Sequence, residues 1–304
     1  MRNNSTGHYL TRATSTTNSL YFRLGLLLFW ILLAGVLLYS SALISVLDAL
    51  IHREGSSHGL FVPFLSAFFV WIKREALREI DLRWDYLGIP LVVMGAVFPI
   101  FNLGSYQLQA LSFTAFVGGL IMIHLGRTFF KEISFPLFFL ITMIPVPEGI
   151  YSTLSNYLRD ITFGGSALLI SLFGIPFLKE GSLIHLPSSV LSISTGCSGI
   201  RYLVSFFVFG IAYAYLYRAT LKSRLLIVAS TIPLSVAASV CRLTAIFALT
   251  YIFGPRMAEY WPHVFISWSV FFAVLLLSIA SDRFFHTRYL ENVARSEEAG
   301  RLES

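Results

Sequence analysis

Three residues in this apolar chain carry the side-chain types that acyl transfer needs. Cys197 sits in "STGCSGIRYL" (194–203), between Gly196 and Gly199, with Arg201 four residues on and a long apolar run behind it. A cysteine at the start of a helix feels unpaired backbone N–H groups and the positive end of the helix dipole, and both favour thiolate. Arg242, in "AASVCR", supplies a guanidinium able to hold a carbonyl oxygen as it becomes an oxyanion. His263, behind "YWP", supplies an imidazole that can accept and return a proton. Arg201 stands at i, i+4 from Cys197 and is a second candidate cation on the same helix face.

Each residue also has a plainer reading. A free cysteine is most often a small buried hydrophobe. An arginine near the rim of a membrane helix often snorkels to the headgroups. His263 next to Tyr260 and Trp261 fits an interfacial cap within an aromatic belt. His58 and His185 read as packing or loop residues, although His58 opens an outward-facing span and is a candidate lining residue. Cys241 reads as structural, because it points about 100° around the helix from Arg242.

The elements that must position these groups are membrane helices. Apolar residues make up 56% of the 304-residue chain and charged residues only 12%, about half the soluble norm of roughly 25%. Apolar runs of about 17 to 25 residues recur, long enough to cross a bilayer. They do not alternate as barrel strands do, so the expected fold is an all-α polytopic bundle. The net charge of +6 fits basic cytoplasmic loops and calls for no nucleic acid. Two cysteines without zinc-ligand spacing imply no metal, and no cofactor is expected. A Cys197–Cys241 disulfide stays open if both face an oxidising compartment.

Basic loops set the expected orientation. Arg2, Arg12 and Arg23 precede a first span at about 22–47, and Lys73, Arg74, Arg78 and Arg83 follow the second. Arg127 and Lys131 follow the fourth, Arg218, Lys222 and Arg224 follow the run after Cys197, and Arg283 and Arg288 close the last. Eight spans with both termini inside put every one of these on the cytoplasmic side. The expected organisation is a disordered tail at 1–19, a transmembrane domain at 20–283 and a cytoplasmic tail at 284–304. Residues 148–196 are moderately apolar but broken by Gly164, Gly165, Gly174, Pro176 and Pro187, and read as an interfacial amphipathic helix followed by short extended or re-entrant pieces. Arg242 lies 18 residues after Arg224, about 27 Å of helix rise. That depth brings Cys197, Arg242 and His263 to one outer level as three converging helix ends.

The stretch "GCSGIRYL" resembles the nucleophile motif of the exosortase/archaeosortase family of membrane transpeptidases. "SSHGLFVPFLSAFFVW", "FPLFFLITMIPVPEGIYSTLSNYL" and "LFGIPFLKEGSLIHLP" are similar to its other signatures, in order, over most of residues 45–280. The resemblance implies a cysteine transpeptidase of the bacterial cytoplasmic (inner) membrane, with its site on the outer, periplasmic face. Its substrates would be the C-terminal sorting tails of exported proteins, its surroundings membrane lipids, and its acceptor a cell-surface molecule. The family's catalytic residues fall on Cys197, Arg242 and His263, with Arg201, Gly199, Ser198 and His58 as substrate-binding or supporting candidates. Gly199 is expected to leave room for a substrate backbone. The family often carries a small polar residue such as Asn shortly before the arginine, where this chain reads "AASVCR", and Gly after the histidine, where "HVFISW" offers Ser267. Two rival classes stay open. "GCSG" also suits a rhomboid-like serine protease using Ser198, and Arg201 with Arg242 suits a transporter or flippase for an anionic substrate.

Overall fold

The computed structural model describes residues 22–53, 55–180, 183–187, 189–192, 199–217, 220–258, 261–262, 264–277 and 280. Cys197, Ser198 and His263 lie outside these described residues. Each of the eight apolar runs is helical where described. The helices are α1 (Phe22–Leu37), α2 (Ser40–His52), α3 (Val62–Ile72), α4 (Arg74–Arg78), α5 (Ile89–Ile100), α6 (Tyr106–Leu125), α7 (Arg127–Phe139), α8 (Glu148–Leu172), α9 (Ile200–Tyr217), α10 (Leu221–Phe253) and α11 (Val264–Leu277). By length and composition α6, α9 and α10 can each cross a membrane, and up to five crossings result if two bent helix pairs each count as one. The chain is a helical membrane protein. It forms two compact units that divide between Glu148 and Gly149.

In the first unit the expected continuous span at 22–47 is broken. α1 and α2 meet at 82°, with the bend at Leu38 and Tyr39. The cause is Tyr39, fully buried, whose ring packs on Phe113 and Phe116 and whose hydroxyl donates to the Gly95 carbonyl at 2.8 Å. A buried hydroxyl needs that partner, and straightening the helix would withdraw it. Three of the basic stretches meet at one end of this unit. Lys73 pairs with Glu132 at 2.9 Å, Arg127 with Asp85 at 3.6 Å, and Arg23 lies over the Trp84 ring while donating to the His124 carbonyl. Arg53 forms an ion pair with Glu148, joining the loop after α2 to the first residue of α8.

In the second unit, residues 148–196 form a helix followed by short extended pieces where described, the order expected from the sequence. α8 runs unbroken through Gly164 and Gly165, 25 residues in all. A Cβ at Gly165 would come within 2.9 Å of Val240, so this glycine lets α8 approach α10 rather than ending it. The extended pieces are β1 (Leu178–Glu180), β2 (Leu183–Leu186) and β3 (Ser189–Ser192), an antiparallel sheet in that order, with Leu178 opposite His185 and Ile184 opposite Leu191. The bundle is therefore helical with one small sheet, not all-α. Ile184 and Leu186 of the sheet pack with Phe163 and Ile170 of α8 on Leu243 and Phe247 of α10.

α10 is 33 residues long, about 50 Å of rise against a bilayer core of roughly 30 Å. It continues about three turns beyond Arg242 to Phe253. Arg242 is consequently inside a helix and not at a helix end, as the depth argument supposed. The cluster around Leu243 and Phe247 covers the two turns that follow it, while Tyr251, Ile252 and Phe253 in the last turn are exposed.

Candidate active site

Gly199 decides how α9 begins. Its φ of +81° is the left-handed region that glycine reaches without strain, so the helix starts at Ile200 and no α-helix runs through residue 199. Gly199 caps the helix, its carbonyl accepting from Leu203 N at 3.0 Å. Arg201 is in the first turn of α9, and Cys197, expected on the same helix face, lies outside the described residues. The space beside Gly199 is also taken. A Cβ there would lie 2.7 Å from Ser239 Cβ and 3.5 Å from Thr162 Oγ1. Gly199 makes room for α10, not for a substrate backbone.

The two candidate cations part company. Arg201 is exposed at the first turn of α9. Arg242 is only 2% exposed, so it does not snorkel to the surface. Its Cζ lies 5.0 Å from the centroid of the Tyr202 ring, a cation–π contact worth about 0.5–2 kcal/mol depending on desolvation. Tyr202 in turn donates its hydroxyl to the Ser267 carbonyl of α11 at 2.6 Å and stacks on Phe271. Ser267 stands four residues after His263. Gly199, two residues after Cys197 in sequence, and Ser267 are thus linked to the Arg242 turn through Gly199–Ser239 on one side and Tyr202–Ser267 on the other.

Small hydroxyls fill the junction of α8 and α10. Ser155, Thr162 and Ser166 on α8, and Ser235, Ser239 and Thr244 on α10, are all buried. The Thr244 and Ser166 hydroxyls are hydrogen-bonded at 3.1 Å, and Ser239 donates to the Ser235 carbonyl at 2.7 Å. Buried charge in a membrane protein is costly and marks function by default, and a polar seam beside it lowers that cost.

Sequence reasoning had no signal for Tyr202 beyond its place in "GIRYL", because a stacking aromatic looks like any core residue until its partner is known. Ser239 was passed over as part of "AASVCR", though it stands three residues before Arg242 where the family often has a small polar residue. Cys241 is exposed and free among the described cysteines, not a core residue. His185 is in β2, 3.2 Å from Glu180, a structural contact. His58 belongs to the first unit, in a 3-10 turn (Ser57–Leu60), with Nδ1 3.0 Å from the Gly55 carbonyl.

The transmembrane exosortase (Exosortase_EpsH) family model matches residues 50–280, which take in every residue of this junction. The chain belongs to the transmembrane exosortase family. No curated protein and no solved structure matches it. The exosortase match starts near the end of α2, so α1 and the bend at Tyr39 lie ahead of it. In this exosortase the described part of the candidate site is Arg242 on its Tyr202 platform, bordered by Gly199, Ser239 and Thr162.

Proposed function

We propose that the protein is a membrane-embedded cysteine transpeptidase that cleaves the C-terminal sorting tail of exported proteins and transfers them to an acceptor. The observation that carries the reading is the burial of Arg242 over Tyr202, one turn from the Ser239 that receives Gly199. A cation held inside the protein, next to the chain that leads to Cys197, suits an oxyanion and not a bulk transport path. Transporters place such groups near the midplane on broken helices, whereas α10 is continuous through Arg242.

In the proposed reaction the Cys197 thiolate attacks the scissile carbonyl carbon and forms a C–S bond. Arg242 holds the negative charge that develops on the carbonyl oxygen. Collapse breaks the C–N bond, and the departing amine takes a proton from His263. His263 then removes a proton from the acceptor amine or hydroxyl, which attacks the thioester and releases the thiolate. Water as acceptor gives proteolysis. The site faces the outer side of the bacterial cytoplasmic membrane in an eight-span, N-in/C-in arrangement, so the tail's own helix would be held in the same bilayer.

The test is co-expression with a tailed substrate, comparing wild type with Cys197→Ala, Arg242→Ala and His263→Ala. Tail processing is expected to stop in the cysteine variant and to fall steeply in the other two. Processing retained in Cys197→Ala, where Ser198 remains, would overturn the cysteine mechanism in favour of the rhomboid-like one. Mass spectrometry of the new C-terminus identifies the acceptor.

A further inference from the structure

We infer that Tyr202 is a positioning residue that sets the geometry of the reaction through two separate parts of its side chain; the inference rests on the proposed transpeptidase. Its ring lies under the Arg242 guanidinium, 5.0 Å from centroid to Cζ. Its hydroxyl donates to the Ser267 carbonyl at 2.6 Å, and Ser267 is four residues beyond His263 in sequence. Three helices therefore meet at one side chain: α9, which carries it; α10, which carries Arg242; and α11, which carries Ser267. The surrounding packing makes the side chain rigid. Phe271 stacks on the ring at 5.9 Å with planes 15° apart, and Phe206 lies 6.1 Å away. Tyr202 and Phe206 are both buried.

The two contacts have different consequences. A guanidinium with four methylene-range torsions has many rotamers, and a flat π-face beneath it selects those that lie parallel to the ring. Losing the ring leaves the charge inside the protein but frees its direction. The hydroxyl also lies within hydrogen-bonding reach of the Arg242 guanidinium, which can donate to it. The hydroxyl pins α11 at a main-chain carbonyl, so the register of that helix against α9 does not depend on the side chain at position 267. Both effects act on the position of reacting groups and not on substrate affinity.

The experiment measures kcat and KM for tail processing in detergent-solubilised enzyme, with thermal unfolding of the same samples. Tyr202→Phe keeps the ring and deletes the hydroxyl's contacts with Ser267 and Arg242. Its kcat is expected to fall about tenfold, because small displacements of a reacting group are costly. KM should stay near wild type, with only the small drop in unfolding temperature that one lost part-buried hydrogen bond brings. Tyr202→Leu removes both contacts and is expected to lose about a hundredfold. In an Arg242→Lys background the same Leu change should cost less than about tenfold further, since a residue acting through Arg242 cannot lose that interaction twice. Wild-type kcat in Tyr202→Phe overturns the inference. So does a loss of kcat that only tracks a lowered unfolding temperature, or full multiplication of effects in the double variant. If Tyr202→Leu does not fold, Tyr202→Phe alone decides. Cys197→Ala is run alongside: processing there defeats the transpeptidase reading itself, whereas an inactive Cys197→Ala with unaffected Tyr202 variants defeats only the positioning role.

Discussion

The two compact units both bond buried hydroxyls to nearby backbone, but they distribute buried polarity differently. In the first, buried polar side chains bond to nearby backbone and hold the fold. Ser66 donates to the Pro136 carbonyl at 2.8 Å, Ser112 to the Gln109 carbonyl, and His124 Nδ1 lies 2.9 Å from the Leu120 carbonyl. In the second, buried hydroxyls recur along α8 and along α10, the helix that carries the one buried cation among the described residues, Arg242. The first pattern satisfies polar groups one at a time, as any bundle must. The second concentrates them where a charge has to be tolerated, and that is the pattern of a site. Difference in polarity alone would not separate the units, because both contain buried serines. What separates them is the charge and the glycine that brings another chain segment up to it.

The largest effect expected from breaking this contrast comes from Arg242. Arg242→Gln keeps hydrogen-bonding capacity but removes the charge. Tail processing should fall by about 10²–10³, the usual loss on deleting an oxyanion-stabilising group. Membrane insertion should be unchanged, since a buried charge has been removed and none added. A variant that inserts normally and processes at the wild-type rate would return Arg242 to the structural role that the first unit's polar groups play.

Gly199→Ala attacks the approach of chains to that charge. A non-glycine residue at φ +81° costs about 1–2 kcal/mol, and the overlap with Ser239 adds about 1–3 kcal/mol of overpacking. Both processing and unfolding temperature should drop. Adding Ser239→Gly should recover the overlap component and leave the backbone component, which separates the two causes in one thermal-unfolding series. Equal stability of Gly199→Ala and wild type would mean that α9 does not start as described.

These residues also mark where sequence reading worked and where it stopped. The apolar runs placed the helices, because length and lack of alternation are properties of the chain itself. Helix register was beyond its reach. The break at Tyr39 depends on Gly95, 56 residues away, which no local pattern signals. Gly164 and Gly165 were read as breaks, since glycine's entropy cost is local while its packing benefit at Val240 is not. Arg242 was legible as an intramembrane charge, but its neighbours were not: Tyr202 and Ser239 have ordinary side chains whose role exists only in contact. The run expected from about 198 begins as α9 at Ile200, because the positive φ of Gly199 sets the boundary there.

A smaller effect, confined to the first unit, is expected from Tyr39→Phe. The ring stays packed on Phe113 and Phe116 while the Gly95 carbonyl loses its donor. Leaving a buried acceptor unpaired costs about 1–3 kcal/mol, visible as a lower unfolding temperature. The kcat for tail processing should not change. A lowered kcat at unaltered stability would show that the first unit's polar groups also serve the reaction, and would dissolve the contrast between the units.

The smallest effect is expected at Arg201, and it sharpens the contrast inside the second unit. Arg201 and Arg242 carry the same charge, and Arg201 is far nearer to Cys197 in sequence. One is exposed and the other is 2% exposed. A charge in contact with water acts through a high dielectric, where an ion at a few ångströms is worth about 1 kcal/mol or less, and dissolved salt screens it further. Arg201→Gln should therefore change kcat by less than about fivefold, the rate equivalent of that energy. Any change should sit in KM and shrink as salt is added, as expected for a cation that attracts an anionic headgroup or tail rather than holding an oxyanion. If Arg201→Gln lowers kcat as far as Arg242→Gln and the loss is insensitive to salt, burial is the wrong criterion for choosing between them. Sequence proximity to the cysteine would then have been the better guide.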